Sequence, residues 1–314
     1  MDKGAAQARE GPANSMATAL RINGLTKRYQ DFALENFNLS LQEGSCVGLI
    51  GENGAGKSTL IKSILGLVRL DGGQVQLFGG GSIIEGSDLI REHVGYVPED
   101  QILYEWMTIR QTIKFYSAFY RSWDLQRSTQ LLRLFHLTEN QKVAHLSKGM
   151  KVKLLLVLAL SHQPSVLLLD EPTGGLDPLA KDELIDYLEQ IRKDQPRLAI
   201  LISSHILSDI EVLATEIAIL REGRLILWDQ KEVLRRSHKV IHWHSPETSM
   251  VGRLIAAPFV IGSAYENGIL KLLVSVPGAE GQRTLEELAG KGAQVVDATV
   301  GEIYLGLMRH KIRP

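Results

Sequence analysis

Short apolar runs separated by turn residues divide much of the chain into strands and helices. The runs at 46–50 (CVGLI) and 166–169 (VLLL) are unbroken, which is typical of strands buried on both faces of a parallel sheet. A third run, 198–202, follows a helical pattern that opens with Asp177 as N-cap and Pro178 at the first helical position. The order strand, helix, strand predicts an α/β fold with a right-handed crossover between parallel strands.

Alternating and amphipathic patterns surround this predicted core. Apolar and polar residues alternate at 34–41, and 19–24 is also strand-like, so both segments are expected in antiparallel pairs. Further strands are predicted at 74–78 and 93–97. The aromatic-rich stretch 108–137 has a helical pattern throughout, which predicts a helical subdomain over about 100–163.

The pattern changes near residue 237, where short strand-like and helical segments alternate. The strand-like segments are 240–243, 270–276 and 293–298, and the helical ones are 283–290 and 302–308. We therefore expect three parts: a flexible N-terminal tail at 1–18, a main α/β domain at 19–236 and a small α+β accessory domain at 237–314.

Composition narrows the function classes. The 314 residues carry 23% charged and 44% hydrophobic residues with a net charge of −1, so the chain has no basic footprint for nucleic acid, and no nucleic-acid partner is expected. The single cysteine, Cys46, excludes an internal disulfide and a cysteine-based zinc site. His242 and His244 share one strand face, but packed or solvated histidines are favoured there over a metal site.

No segment has the length of a membrane span. The most apolar stretch, 154–160, is far shorter than the ~20 residues that cross a bilayer, and it is expected as a buried helix. The tail lacks the apolar centre of a secretory signal. We expect a cytoplasmic chain.

The sequence GENGAGKS at 51–58 satisfies the phosphate-loop pattern G-x-x-x-x-G-K-[ST] between a predicted strand and a predicted helix. Glycines let consecutive N–H groups approach phosphate oxygens, and the helix adds its positive end. Lys57 is expected on the β- and γ-phosphates, and Ser58 on Mg²⁺. The nucleotide-binding residues predicted here are Gly51, Asn53, Gly54, Ala55, Gly56, Lys57, Ser58 and Thr59.

Two adjacent carboxylates, Asp170 and Glu171, follow the buried run at 166–169. Neighbouring strand residues point in opposite directions, so Asp170 is expected to support Mg²⁺ while Glu171 faces the attacking water near the γ-phosphate. Alone, an acidic pair at a strand end is usually only solvated, but the upstream phosphate loop favours catalysis.

Five motifs in this order resemble the ATP-binding subunits of ABC transporters. They are Tyr29, GENGAGKST, LSKGM at 146–150, VLLLDEP at 166–172, and GLDP followed by SSH, which ends at His205. The resemblance covers about 20–234 and implies a P-loop ATPase cassette with a parallel core sheet, an antiparallel β subdomain and a helical subdomain. The sequences at 119–124 and of LSKGM are similar to those of bacterial exporter-type members.

The resemblance also implies roles for residues outside the phosphate loop. Tyr29 would stack on adenine, although a core tyrosine is the alternative. Ser147 and Gly149 would touch the γ-phosphate held by the opposite subunit, and Asp177 would lie at the dimer interface, although Ser147 and Asp177 are also plain N-cap candidates. His205 would contact the γ-phosphate and, with Glu171 and Lys57, form the catalytic set.

Two motifs depart from the family pattern, at three positions. Lys148 and Met150 stand where glycine and glutamine are commonest, and Glu99 stands where a glutamine near Mg²⁺ is usual. A carboxylate at Glu99 can still reach the metal or its water, but it adds negative charge beside the phosphates. We therefore expect altered Mg²⁺ dependence or altered coupling to a partner.

The family pattern implies a Mg²⁺-dependent ATPase that powers transport through a separate membrane permease. ATP would join two subunits, as a homodimer or a heterodimer, and hydrolysis would release them. The chain would then lie on the inner face of the cell membrane, held near the aromatic-rich helical region and Glu99. The alternatives are a permease-free ABC ATPase that acts in assembly or on nucleic acid or ribosomes, and a nucleotide-binding module without turnover.

Overall fold

A computed structural model describes residues 17–77, 81–82, 88–244, 255, 257, 259–266, 268–275, 283 and 293–309. The chain divides into two compact units. The first contains the described residues up to Ala214 together with Ala218–Leu227, and the second contains Thr215–Ile217 and the described residues from Trp228 onward. The predicted boundary at 236/237 differs from this division, because 228–236 belong to the second unit.

A six-stranded sheet positions the predicted site residues at the ends of its strands. Its strands are β3 (Cys46–Ile50), β6 (Val94–Val97), β7 (Val166–Asp170), β8 (Ala199–Ser204), β9 (Glu216–Arg221) and β10 (Arg224–Gln230), in the order β10-β9-β3-β8-β7-β6. Strands β3, β8, β7 and β6 are parallel, and every residue of β3 and β7 is buried. Because Ile50 pairs with Ser204 and Asp170 with Ser203, three strands end at one edge.

A second, antiparallel sheet has the order β2-β1-β4-β5. It consists of β1 (Thr18–Arg28), β2 (Ala33–Gln42), β4 (Gly72–Leu77) and β5 (Gly81–Ser82). Strand β1 is longer than the predicted 19–24 and begins inside the predicted tail, because β2 and β4 pair with it on both sides. Residues 1–16 of that tail and Phe78 of a predicted strand lie outside the described residues.

Seven α-helices of the first unit are described. They are α1 (Lys57–Ile64), α2 (Asp88–His93), α3 (Ile109–Ser117), α4 (Leu125–Leu134), α5 (Lys148–Leu160), α6 (Pro178–Asp194) and α7 (Leu207–Leu213), with a short 3-10 turn at Val143–His145. The helical pattern predicted throughout 108–137 is broken into two helices, because α3 ends at Ser117 and α4 begins at Leu125. Asp124 ends the break by capping α4, since its Oδ1 accepts from Arg127 N at 2.9 Å.

The second unit contains an antiparallel sheet of order β12-β13-β11-β14. Its elements are α8 (Lys231–Ser237), β11 (His238–His244), β12 (Val260–Glu266), β13 (Ile269–Ser275), β14 (Gln294–Asp297) and a C-terminal helix α9 (Val300–Arg309). The predictions omitted β12, and the predicted helix at 283–290 lies outside the described residues except for Arg283. His242 pairs with Lys271 and Gln294, neither of which is a metal ligand of the expected type.

Among the helices of the described ranges, none combines the length and the apolar character needed to cross a bilayer.

Candidate nucleotide-binding site

The phosphate loop, 51–58, follows β3 directly and leads into α1. Gly56 has φ 107° and Gly54 has φ 81°, backbone angles that side chains disfavour. A methyl group on Gly51 would lie 2.6 Å from the carbonyl oxygen of Leu220, and one on Gly56 would lie 2.6 Å from Phe32 Cζ. Close packing therefore disfavours any side chain at Gly51 and Gly56. A methyl group on Gly54 would have no atom within 4 Å, so the loop is open at that residue.

The beginning of α1 suits an anion. Among the described residues no side chain caps α1, whereas α3, α4, α5 and α6 are each capped by a side chain, respectively Thr108, Asp124, Ser147 and Asp177. The first N–H groups of a helix have no partner within the helix and carry a partial positive charge. Phosphate oxygens fit this end of α1 as acceptors.

Lys57 lies beneath the loop as an almost fully buried cation. Its Nζ donates to the carbonyl oxygens of Gly51 at 2.8 Å and Glu52 at 3.3 Å. The same Nζ lies 3.2 Å from Glu171 Oε1, an ion-pair contact between side chains that are 6% and 7% exposed. The loop and the carboxylate therefore meet at the strand ends.

Glu171 connects Lys57 to His205. Its Oε2 lies 2.7 Å from His205 Nδ1 and accepts from the His205 backbone N–H at 3.3 Å. Glu171 lies one residue beyond β7 with φ 47°, a conformation that is uncommon for a residue with a side chain. His205 is half exposed and Glu171 is buried, so one edge of the imidazole faces the carboxylate while solvent reaches the rest.

Asp170 and Glu171 have separate partners. Ser203 Oγ donates to Asp170 Oδ1 at 2.7 Å and accepts from the Glu171 backbone N–H at 3.0 Å. The sequence analysis expected the two side chains to point in opposite directions as neighbours on a strand. Glu171 lies outside the strand, so their different directions depend instead on the turn that Ser203 holds. Ser203 belongs to the SSH motif, but its bridging role was not predicted.

A cleft of about 600 Å³ opens over these groups. It is lined by Asp31, Phe32, Asn53, Gly54, Gly56, Lys57, Ser58, Thr59, Glu99 and Glu171. Tyr29 is not among the lining residues; it is 49% exposed, with its ring 6.5 Å from that of Phe32. The core-tyrosine alternative is therefore wrong. The sequence analysis did not predict that Asp31 and Phe32 line the cleft. For Phe32, the only signal in the sequence is that it is an aromatic residue close to Tyr29.

The cleft has an excess of carboxylates over cations. Burial, and after it the charges of Asp170, Asp100 and Glu99, raise the pKa of the Tyr96 phenol to about 12. In the described ranges no group of three or more His, Cys, Asp and Glu side chains could hold a metal alone. Ser58 and Asp170 nevertheless fit Mg²⁺, which uses one or two carboxylates together with the phosphates of a substrate.

The signature segment, 146–150, does not line this cleft. Ser147 caps α5 by accepting from Met150 N at 3.2 Å, and the buried Gly149 packs against Ala180, where a methyl group would lie 3.2 Å from Ala180 Cβ. Asp177 caps α6 by accepting from Ala180 N at 3.0 Å. Ser147 and Asp177 thus both form the N-cap contacts that the sequence offered as alternatives. Ser147, Gly149 and Asp177 are not among the residues that line the phosphate-loop cleft of the same chain.

Lys148, one of the two unusual residues of the signature segment, lines a separate cleft of about 360 Å³. The other lining residues are Glu99, Asp100, Gln101, Leu146 and Lys151. Glu99 therefore belongs to both clefts, one on the side of the phosphate loop and the other on the side of α5.

Comparisons of sequence agree with this geometry. The family model described as ABC transporter matches residues 34–174. The uncharacterized ABC transporter ATP-binding protein YhcH of Bacillus subtilis is 33% identical over 214 residues, which cover 67% of this chain and 70% of that protein. The bacitracin transport ATP-binding protein BcrA of Bacillus licheniformis is also 33% identical over 214 residues, with 67% and 69% covered.

Solved structures give the same fold. A structure of the ATP-binding subunit of an ABC transporter has a TM-score of 0.62 at 32% identity and covers 70% of this chain and 92% of that one. The cbiO1 protein from Clostridium perfringens, described as part of the ABC transporter complex cbiONQ, has a TM-score of 0.60 at 24% identity and covers 76% and 99%. The predicted P-loop cassette fold is confirmed, and the chain belongs to the ABC transporter family as one of its ATP-binding subunits.

Proposed function

We propose that this chain hydrolyses ATP to ADP and phosphate, with Lys57, Glu171 and His205 as its catalytic residues. The observation that carries the proposal is the buried line of contacts from Lys57 through Glu171 to His205 at the ends of β7 and β8. A binding module without turnover needs the phosphate loop alone. A carboxylate held in an uncommon conformation between a cation and a histidine is what an oriented general base requires.

In the proposed reaction, water attacks the γ-phosphorus of ATP. Glu171 takes a proton from this water, and the bond between the γ-phosphorus and the oxygen bridging to the β-phosphate breaks. ADP and inorganic phosphate are the products. Lys57 faces the phosphates and can exchange its contact with Glu171 Oε1 for a γ-phosphate oxygen, which leaves that carboxylate oxygen for the water. His205 holds the other oxygen.

Mg²⁺ would be held by Ser58 and Asp170, with Glu99 close by. When bound, it would offset the charge of the β- and γ-phosphates. Support comes from the donor set: Asp170 is buried but keeps one oxygen beyond its contact with Ser203, and both Ser58 and Glu99 line the cleft. Tyr29 and Phe32 supply aromatic faces of the kind on which an adenine stacks.

The same proposal assigns Ser147, Gly149 and Asp177 to ATP held by a second subunit, either another copy of this chain or a homologous one. Ser147 is exposed at the N-terminus of the 13-residue helix α5, so its hydroxyl and the helix dipole are both available to an anion. Two subunits facing each other would then close two sites with ATP between them, and hydrolysis would separate them.

A separate membrane permease would use this separation for transport, and the chain would lie at the inner face of the membrane through that contact. We assign the contact to an exposed apolar surface formed by Ile102 and four aromatic residues, Tyr104, Trp106, Phe115 and Phe119. Trp106 is 68% exposed, and the ring centroids of Tyr104 and Phe115 are 5.5 Å apart. Exposed aromatic side chains that contact one another favour protein–protein contact.

Phosphate release with Mg²⁺ and ATP tests the enzymatic proposal. The wild-type chain should turn over ATP, and Lys57→Ala should lose ATP affinity by about tenfold or more, because a charge-assisted contact is removed. Lys62→Ala is the matched control, since Lys62 lies exposed in the last turn of the same helix. Absence of phosphate release from a folded wild-type chain that binds ATP would contradict the proposal.

Co-purification from detergent-solubilised membranes tests the permease contact. Trp106→Asp should lose the membrane protein while the isolated chain keeps its ATPase rate, whereas Leu67→Asp, which changes another exposed apolar residue, should keep both. Retention of the same membrane protein by Trp106→Asp would refute the assigned surface. Absence of any co-purifying membrane protein with the wild type would favour the permease-free alternative.

A further inference from the structure

Asp209 is a carboxylate that the proposed reaction does not use, and it is completely buried in the first turn of α7. Its Oδ1 forms an ion pair with Lys181 Nζ of α6 and accepts from Ser208 Oγ at 3.2 Å. Its Oδ2 is buried and accepts no hydrogen bond from any residue in the described ranges. Lys181 is therefore the cation that compensates this buried charge.

The first turn of α7 also sets the position of His205. Ile206 N donates to Ser204 Oγ at 2.9 Å, which fixes the turn between β8 and α7 with His205 in its middle. Ile210, the neighbour of Asp209, packs onto β3 at Gly48, where a methyl group would lie 2.3 Å from Ile210 Cγ2. Helix α7 is thus held by β3 on one side and by Lys181 on the other.

Lys181 lies in the α6 turn that also contacts the signature segment. It comes four residues after Asp177, and its neighbour Ala180 donates its N–H to Asp177 and packs against Gly149. A continuous series of contacts therefore runs from Gly149 through α6 to Asp209, and from α7 to His205 and Glu171.

We propose that Lys181 and Asp209 are a positioning pair that holds the His205 imidazole on Glu171. The inference rests on the proposed ATPase function and deepens it, because it makes the geometry of His205 depend on the α6 turn that carries Asp177. Neither side chain touches the nucleotide cleft, so both act through His205.

The physical reason is the cost of an unpaired buried charge. Removing one partner of a buried ion pair leaves the other in a medium of low dielectric, which is strongly unfavourable. The relief with the smallest rearrangement is a shift of α7 that brings Asp209 to water. Such a shift moves the turn at 204–206, and displacement of a catalytic group by about 1 Å can lower a rate about a hundredfold.

The test is a double-mutant cycle on the full chain with Lys181→Met and Asp209→Asn. Each single variant should lower kcat for ATP hydrolysis by about ten- to a hundredfold, while the KM for ATP and the ATP affinity change by no more than about twofold. The double variant should lose no more than the worse single variant, because both changes break one interaction.

Lys153→Met is the matched control. Lys153 of α5 pairs with Glu183 at 2.6 Å and, like Lys181, anchors α6, but it has no contact with α7 among its described ion pairs. The control should keep kcat within about twofold of the wild type at a similar loss of thermal stability. Asp209→Asn breaks the same contact between α6 and α7 without leaving a charge on α7. The charge that it unpairs is that of Lys181, whose side chain is 22% exposed and can reach water, so this variant remains informative if Lys181→Met does not fold.

Two outcomes overturn the inference. One is a kcat within twofold of the wild type for Asp209→Asn or for folded Lys181→Met. The other is a double variant whose loss is the product of the single losses, since the two residues would then act independently. A wild-type chain that releases no phosphate would instead contradict the proposed ATPase function, so the two failures are distinguishable.

Discussion

The phosphate-loop cleft and the signature segment differ in how their groups are satisfied. In the cleft, Lys57 and Glu171 are buried and paired with each other, and α1 begins without a side-chain cap in the described structure. In the signature segment, Ser147 is exposed and caps its own helix. The cleft therefore presents groups that suit phosphates, whereas the signature segment is satisfied within its own helix, and its proposed role needs a second molecule that faces it.

Glu171→Gln should have the largest effect on this comparison. The amide keeps the size of the side chain but cannot take a proton, so hydrolysis should fall by about 10²- to 10⁴-fold. ATP affinity should remain, because Lys57 and the loop are unchanged. Phosphate release and nucleotide binding are measured on the same preparation. Glu139→Gln, a change in an exposed ion pair with Arg110, is the control and should behave like the wild type. A turnover close to normal in Glu171→Gln would remove Glu171 from the catalytic set.

Ser147→Asp separates the two readings of the signature segment. Aspartate is as good an N-cap as serine, so α5 and the thermal stability should be preserved. A negative charge facing phosphates in a second subunit should nevertheless lower hydrolysis by about a hundredfold, while ATP binding to the single chain stays normal. Steady-state ATPase rate, ATP affinity and thermal unfolding are the measurements. If Ser147 only caps the helix, the variant will be fully active.

Glu99→Gln probes the residue shared by the two clefts, and a smaller effect is expected. Loss of the carboxylate should raise the Mg²⁺ concentration for half-maximal activity by about tenfold, in the range seen for residues that support a metal site indirectly. It should also lower the KM for ATP, since one negative charge beside the phosphates is removed. Titration of ATPase activity with Mg²⁺ is the measurement. An unchanged titration and unchanged transport would show that Glu99 contributes to neither.

The smallest effect is expected at the far end of α5, where His162 follows the C-cap Ser161 and stacks on Tyr120. Burial lowers the pKa of His162 below the ordinary value of 6.5. The unfolded chain therefore takes up a proton that the folded chain resists, and stability present above pH ~6.5 is lost as the pH falls below it. His162→Phe keeps the stacked ring and should lose about 2 °C less in melting temperature between pH 7.5 and 5.5. Equal losses in both proteins would contradict this assignment.

The motif residues at the phosphate loop and at the strand ends beside it could be predicted because the chemistry expected of them requires a local pattern. Lys57, Asp170, Glu171 and His205 each lie at or after a strand end within a recognisable motif, and parallel pairing brings those ends together. Contacts without a local pattern were not predicted. Phe32 enters the cleft only because Gly56 packs against its ring.

Other features were not predicted for a similar reason, since they depend on contacts between residues that are distant in the chain. The helical pattern of 108–137 was interrupted because Asp124 is a better N-cap than a helix interior residue, and its N–H bonds to Ser161, distant in the chain. Strand β12 contains Gly262, and its apolar and polar residues do not alternate, so pairing with β13 and not its own pattern makes it a strand. The Lys181–Asp209 pair joins two helices that no sequence periodicity relates.

In the proposed dimer, the signature segment of one subunit completes the ATP site of the other. Sedimentation of the Glu171→Gln chain with and without ATP tests it most directly, alone and combined with Ser147→Asp. The account predicts a monomer without ATP, a dimer with ATP, and a monomer that still binds ATP when Ser147→Asp is added. An ATP-loaded Glu171→Gln chain that stays monomeric would exclude a second copy of this chain and leave a homologous chain as the second subunit. Persistence of the ATP-dependent dimer in the combined variant would contradict the role of Ser147 in the facing site.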